Sequence, residues 1–397
     1  IIEAKEGQIT LPHPPSARFN ANIAAIKLMR KLMEDGVTVP SQEDFETLRK
    51  YSGWGGLGTF FNNPGPENTI LHEVLDSEEY ESAVNNINSA YYTPASVIDA
   101  LWDIAGKLGF KGGKILESSA GIGSIIGLMP ESISNRSDIE AVEIDTISGN
   151  ILKLLYPDAK VNVQGFEETD IKNGSVDLAI TNVPFITGFR VNDKIDKDLS
   201  KKFKDIHDYF IAKNIRKLRN GGIGIFITSS GTLDKSRKLR EWITSDEKSD
   251  VIGAFRLNNE TFSGTKATSD IIIVRKRTGN KPAANAIDVI DTVVARTGEY
   301  KTGNTNWDKK EGRYVEEVKP VSLEYNKYFV EHPEHMGGEM FVGYEKGETY
   351  RPTSIGLFPT NEINQDEALK RWVNSFNEIE NTNIVIHLHQ WSTYPDG

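Results

Sequence analysis

The stretch "KILESSAGIG", Lys114 to Gly123, passes from an apolar β-type run into a glycine-rich turn. Glycine at such a turn lets a ligand approach the backbone, as after the first strand of nucleotide-binding α/β sheets. Outward from it, "IEAVEI", "KVNVQ", "VDLAI", "GIGIFIT", "DVIGAF" and "DIIIVRK" alternate with helical stretches. That alternation predicts an α/β fold with a doubly wound, mostly parallel sheet. Ahead of Thr93-Pro94 the chain reads helical: "ANIAAIKLMRKLMEDG" is amphipathic and stopped by Gly36, and "SQEDFETLRKYSG" opens on Ser41 as an N-cap. Beyond Arg277 a linker-like "TGNKPAANA" leads into a Glu-, Tyr- and Gly-rich tail with short strand candidates. The expected organisation is a helical region over 1–88 with "YSGWGGLG" as a lid candidate, an α/β domain over 89–278, and a smaller mixed region over 279–397, a candidate for part of a target-recognition domain.

The totals narrow the function classes. A chain of 397 residues, 38% hydrophobic and 26% charged, can bury a sizeable core and act as an enzyme. With no cysteine there is no disulfide or thiolate metal site, and the seven His show no HExxH-like spacing, so no metal is expected. Apolar runs stop short of the ~18 residues a membrane helix requires, which points to a cytoplasmic protein. The chain opens on Ile without a signal peptide, so a fragment of a longer protein is expected. No GxxxxGK[ST] segment occurs, and any ATP-driven helicase must lie outside this chain. A net charge of −11 argues against nonspecific nucleic-acid binding. Basic residues nevertheless gather between Arg190 and Arg219 and again at Lys235, Arg237, Lys238 and Arg240, either as solvated helix faces or as phosphate contacts.

The chemistry-bearing positions fall at strand ends. Glu117, Gly121 and Gly123 sit at the first turn, but a dinucleotide fingerprint would want Gly where Ile126 stands, and Gly127 is one place late. Glu143, 20 residues after Gly123, ends the next strand, where a carboxylate can accept from both ribose hydroxyls. A helix cap beside a surface acid would give the same pattern. After "SVDLAI" comes "TNVPFI", Thr181 to Ile186, poor material for continuing a sheet. Pro184 biases Val183 toward extended backbone, aiming the Val183 carbonyl beside the Asn182 side-chain oxygen. Two acceptors then converge where an exocyclic amino group on a flat base would donate both hydrogens, with Phe185 stacked on the ring. A plain turn, with Asn as cap and Phe as core, is the alternative; the shared sheet edge with "SAGIG" and "VEID" favours the site.

These motifs, in this order, resemble the S-adenosylmethionine-dependent N6-adenine DNA methyltransferases, whose fold is Rossmann-like. "YYTP" (Tyr91 to Pro94) is similar to the cofactor-side motif, "ESSAGIG" to the acidic glycine turn, "NVPF" to the Asn-Pro-Pro-aromatic catalytic motif, and "IHDYFIAKNIRKLRNGGIGIFIT" to the helix and strand that follow it. "YSGWGGLG", "GFEET", "SSGTLDK", "SGTKATSDI" and "NKYFVEHPE" resemble more closely the methylase part of large helicase–methylase proteins of phages and conjugative elements, related to defence-against-restriction proteins. The resemblance covers roughly residues 15–340. It implies that Tyr92, Thr93 and Pro94 border S-adenosylmethionine, that Glu117, Ala120, Gly121 and Gly123 hold its methionine part, and that Glu143 binds its ribose. It implies that Asn182, Val183, Pro184 and Phe185 take a flipped adenine, with DNA as partner and a helicase region elsewhere on the full-length chain. Ser118 stands where the glycine turn usually has Pro, and Val183 where the catalytic motif has its first Pro. Phe166 replaces an Asp that reads the cofactor adenine, a part left to Gln164 or Glu167.

Other stretches have two readings each. Trp54 belongs either to a mobile lid or to a glycine-rich turn with a buried Trp. Phe262 packs on the base or in the core, and His207 and Asp208 are expected to be structural because neighbours on a helix diverge. "NVPF" also suits an RNA base or a protein glutamine, and a noncatalytic DNA- or cofactor-binding module is the reading from a different class. A nicotinamide dehydrogenase is disfavoured by Ile126.

Overall fold

A computed structural model describes residues 14–87, 93–186, 188, 190–262, 265–342 and 355–376. Five helices come first: α1 (Pro15–Glu34), α2 (Gln42–Leu48), α3 (Gly58–Asn62), α4 (Pro66–Val74) and α5 (Ser77–Asn86). Gly36 follows α1 with φ of 69°, a conformation glycine adopts freely. The Ser41 side chain caps α2 by accepting from the Asp44 N–H at 3.1 Å. α6 (Ala95–Lys107) then leads into the sheet.

The strands are β1 (Gly113–Glu117), β2 (Ser137–Glu143), β3 (Lys160–Val163), β4 (Val176–Asn182), β5 (Leu218–Ser229), β6 (Ser249–Leu257) and β7 (Ser269–Lys276). They form one seven-stranded sheet in the order β3-β2-β1-β4-β5-β7-β6. β7 runs antiparallel to both neighbours and the other pairs are parallel. Between strands lie α7 (Ser124–Gly127), α8 (Glu131–Ser134), α9 (Thr146–Leu155), α10 (Lys197–Lys202), α11 (Ile206–Lys217), α12 (Gly231–Asp234) and α13 (Arg237–Ser245). This is the doubly wound, mostly parallel α/β fold that the strand runs predict. The runs are nearly continuous apolar stretches because both faces are covered. Ile115, Leu178 and Ile225 enter one core, shared with Phe19, Ile26 and Leu71 of the N-terminal helices. Their neighbours Leu116, Ala179 and Phe226 enter the other, with Tyr209 and Trp242.

The C-terminal part carries the largest departure from expectation. Besides the short strands expected there, β8 (Thr292–Asp308) and β9 (Arg313–Asn326) form one long antiparallel ribbon. α14 (Lys327–Glu331) follows, then a second small sheet of β10 (Glu339–Val342) and β11 (Ile355–Phe358), and α15 (Gln365–Ser375). Leu369 and Trp372 of α15 return to the first core, the Trp372 ring lying 5.4 Å from that of Phe255. At the centre of this half the Arg256 side chain, fully buried, forms ion pairs with Asp270 at 2.7 Å and Asp234 at 2.8 Å. Its guanidinium lies over the Phe329 ring at 4.4 Å. Among the described residues, no helix is long and apolar enough to cross a membrane.

Candidate functional site

The strand order reverses between β1 and β4, and a doubly wound sheet opens a crevice at the carboxyl ends of the strands at such a point. A cavity occupies that place. Glu117 from the end of β1, Glu143 from β2 and Asn182 from β4 all line it, together with Val183, Pro184 and Phe185.

The glycine turn divides its work. Gly121 has φ of +56° and open space where a Cβ would stand, so its backbone faces the cavity unobstructed. Gly123, at φ +83°, is glycine for a different reason: a Cβ there would come within 2.6 Å of Leu152 and Tyr156. It lets the turn pack on α9 and lies off the cavity wall. Ala120 lines the cavity and anchors the turn by donating its N–H to the Val142 carbonyl at 3.0 Å. Ser118 is buried, and its hydroxyl accepts from Asn214 of α11 at 2.8 Å. That bond gives the departure from Pro a structural role.

Two carboxylates face each other across this turn. Glu117 is 2% exposed, and its Oε2 has no hydrogen-bond partner among the described residues. Burial, then the neighbouring Glu143, raise its carboxyl well above the ordinary range. Glu143 accepts the Gly121 N–H at 2.7 Å through Oε2 and the Asp145 N–H at 2.8 Å through Oε1. Burial, then Asp145, push Glu143 up to about 7. An unpartnered buried carboxylate calls for a cationic or donor group from outside the chain.

At the end of β4 the Asn182 amide nitrogen donates to the Thr93 hydroxyl at 3.2 Å. Its Oδ1 is buried without a partner among the described residues. Thr93, itself 7% exposed, also lines the cavity and orients the amide. Val183 donates its N–H to the Ile227 carbonyl at 2.9 Å, a ladder bond that Pro in this position cannot make. Its side chain sits in the second core, and the half-buried Phe185 packs against both. The arrangement offers an acceptor beside an aromatic ring.

Several expected residues lie elsewhere. Tyr92 is outside the described residues, and Pro94 caps α6 away from the cavity wall. Gln164, Phe166 and Glu167 do not line the cavity. Phe166 is core, its ring 5.2 Å from that of Phe210 and 5.1 Å from the Lys213 ammonium. Glu167 folds back over Gly165. Phe262 is 2% exposed within the first core, in line with its packing alternative. His207 and Asp208 meet each other at 3.4 Å on α11, and neither lines the cavity.

"YSGWGGLG" contributes a wall of the cavity and is tied to α1. Asn22 of α1 donates to the Gly53 carbonyl at 2.6 Å and accepts from the Ser52 N–H at 2.8 Å, while Trp54 packs edge-on against Phe61 at 5.2 Å. Tyr51, Gly53 and Trp54 thereby line the cavity. Ile144 and Ser148, which sequence reasoning did not single out, line it too. Ile144 is 59% exposed directly after Glu143, and an apolar residue following a strand-end acid was the available signal.

The basic group between 190 and 219 divides: Arg190, Lys194, Lys197, Lys201, Lys204 and Arg219 are exposed, while Lys213 and Lys217 are buried. Lys213 pairs with Asp193 at 2.6 Å, Lys217 with Asp196 at 2.8 Å and Arg216 with Asp198 at 2.7 Å. These bonds lock the segment that follows the Asn182 motif onto α11, so Lys213, Arg216 and Lys217 serve the fold. Of the second group, Arg240 is buried, donating to the Thr232 and Ile290 carbonyls.

A family model described as "Eco57I restriction-modification methylase" matches residues 19–262. The chain is 30% identical over 264 residues to "Defense against restriction protein B" of Escherichia phage P1, a match covering 65% of this chain and 10% of that protein. The chain thus spans about a tenth of the length of this curated relative. It is also similar to the type I restriction-modification system methyltransferase subunit from Streptococcus thermophilus, at 14% identity and a TM-score of 0.42, covering 90% of this chain and 79% of that one. The type IIG restriction endonuclease BpuSI matches at 14% identity and a TM-score of 0.39, over 67% of this chain and 38% of its own.

Proposed function

The chain belongs to the Eco57I restriction-modification methylase family, and from that premise we propose that it is a DNA methyltransferase acting on N6 of an adenine held out of the duplex. The observation that carries this reading is the Asn182 Oδ1, buried in the cavity, unpartnered among the described residues and oriented by Thr93. An amide oxygen so placed is an acceptor awaiting a donor.

The cavity also fits S-adenosylmethionine, the methyl donor of this class. The unpartnered Glu117 carboxylate suits a ligand ammonium, and the open Gly121 backbone suits close approach of its methionine part. Glu143 and the exposed Ile144 beside it suit a ribose and a flat base. When bound, S-adenosylmethionine supplies a methyl group already activated by the adjoining sulfonium charge. The chain's own task is then alignment. Asn182 Oδ1 and the Val183 carbonyl take the two amino hydrogens, which draws the nitrogen lone pair out of conjugation and toward the methyl. Phe185 holds the ring plane. Extruding the base costs a few kcal/mol of stacking and pairing, offset by these contacts.

Two predictions concern the cofactor. Ribose hydroxyls donating to Glu143 favour its ionised form, so binding releases a proton. S-adenosylmethionine affinity is therefore expected to rise with pH through about 7 and level off above it, read by calorimetry in buffers of different ionisation enthalpy. Flat affinity from pH 6 to 8 would remove Glu143 from the ribose site. Glu117→Gln is expected to weaken the cofactor about tenfold or more by deleting a charge-assisted partner. Its effect on the free chain has the opposite sign. A carboxyl whose folded pKa is raised loses stability as pH climbs above its unfolded value, so the neutral amide should melt higher at pH 8.

The acceptor class is tested by offering radiolabelled S-adenosylmethionine with DNA, RNA and protein in parallel. Label confined to DNA supports the reading. Label in RNA or protein, or in none of them while cofactor binds, overturns it. As further parts of the proposal, the chain works in the cytoplasm on DNA, and a helicase region belongs to the same full-length polypeptide.

A further inference from the structure

Resting on the DNA reading above, we propose that the β8–β9 ribbon is an arm that engages the substrate duplex at its tip, through Trp307, Tyr314, Lys309 and Lys310.

Among the described residues, the ribbon beyond Val321 pairs with no third strand. From Thr297↔Ser322 to Asp308↔Arg313 it extends as two strands alone, roughly 30 Å at about 3.3 Å per residue. An isolated two-stranded ribbon buries little and is marginal in water, so its length is not explained by stability. At its far end Trp307 and Tyr314 are directly opposed across the strands, rings 5.2 Å apart and edge-on. They are nevertheless 54% and 68% exposed. Each orders the other, which leaves two rigid aromatic surfaces for a partner at small entropic loss.

Charge selects the partner. The acids at the tip are engaged: Asp308 accepts the Lys310 N–H at 2.7 Å and the Glu311 N–H at 3.2 Å, and Glu311 pairs with Arg313 at 2.6 Å. Nearer the base, Glu317 is held by Asn304 at 3.3 Å and Lys319 at 3.6 Å. Lys309 and Lys310 take part in no ion pair among the described residues, so the turn presents two available cations beside two aromatics. A polyanion whose groove walls also present apolar base-edge groups, as duplex DNA does, matches that chemistry. A pair of strands about 4.8 Å apart also fits a major groove about 12 Å wide.

Position supports the same partner. Asn326, at the ribbon's base, donates its N–H to Asp234 at 2.9 Å and its side-chain amide to the Leu233 and Val289 carbonyls at 2.8 Å each. Leu233 and Asp234 belong to α12, directly after the carboxyl end of β5, and β5 pairs with β4 at Asn182↔Ile227. The ribbon therefore springs from the edge at which a flipped base would enter, and Arg256 clamps its footing through Asp234.

The test uses this chain with two double variants, Trp307→Ala/Tyr314→Ala and Lys309→Ala/Lys310→Ala. All four side chains are exposed, so neither core is touched; thermal unfolding checks the fold, and the lysine variant keeps the aromatic pair that orders the ribbon tip. For both variants KM for duplex DNA is expected to rise about tenfold, with kcat, cofactor Kd and methylation of a single-stranded oligonucleotide within twofold of the unaltered chain. The lysine variant should also flatten the salt dependence of duplex binding by between about one and two in log–log slope. Duplex KM unchanged in both variants overturns the inference and leaves the ribbon to a protein contact, with the DNA reading intact. An unaltered chain that labels no DNA overturns the proposed function and the inference together.

Discussion

Asn182→Ala is expected to lower the methyl-transfer rate by about 10²-fold or more while leaving S-adenosylmethionine affinity within about twofold. Among the described residues the Asn182 side chain makes one hydrogen bond, 3.2 Å to Thr93, and Oδ1 stays buried and unpartnered at the cavity. In the proposed reaction that oxygen meets the target amino group and gains most as the nitrogen turns tetrahedral, so its loss is expected to fall on kcat. Thr93→Val serves as the companion. It keeps the acceptor and removes only the group that orients it, and a smaller loss of kcat, about tenfold, is expected. Equal effects of Asn182→Ala on rate and cofactor affinity would make Asn182 a structural residue.

Arg256→Ala is expected to destabilise the fold by about 3–5 kcal/mol, the usual result of removing one partner from a buried ion pair. Asp270 is fully buried beside Arg256 and Asp234 is mostly so; without the guanidinium both carboxylates lose their counter-charge. Burial pushes the Asp270 carboxyl up even with Arg256 in place. In the variant, Asp270 should take up a proton on folding, so the deficit is expected to shrink as pH falls from 8 to 5. Denaturant unfolding at those pH values reads this directly. A pH-independent loss would assign the effect to the packing of Arg256 on Phe329 instead.

The parts of the molecule legible in the sequence share one physical cause. The inner strands of the main sheet, unlike the edge strand β3, are buried on both faces over most of their length, which writes them as apolar runs, and the cavity residues stand where those runs end. Glu117, Glu143 and Asn182 were visible because a polar residue closing such a run has no folding reason to be there. The ribbon was invisible for the converse reason: with both faces in solvent it carries charges and threonines without a period of two. Lys213 and Lys217 read as surface cations because their partners Asp193 and Asp196 lie about 20 residues away, and only α11 brings them together. Gly123 looked like a ligand glycine, yet its neighbours Leu152 and Tyr156 come from the following helix, beyond the reach of a local motif. Phe166 likewise shows its burial against Phe210 only in three dimensions.

The most direct test of the account is nucleoside mass spectrometry of unmethylated bacterial DNA digested after incubation with this chain and S-adenosylmethionine. N6-methyladenine as the new nucleoside, absent with Asn182→Ala, is the predicted result. A methylated cytosine, or unmodified DNA from a chain that binds the cofactor, would contradict the assignment of Asn182, Val183 and Phe185 to an adenine amino group.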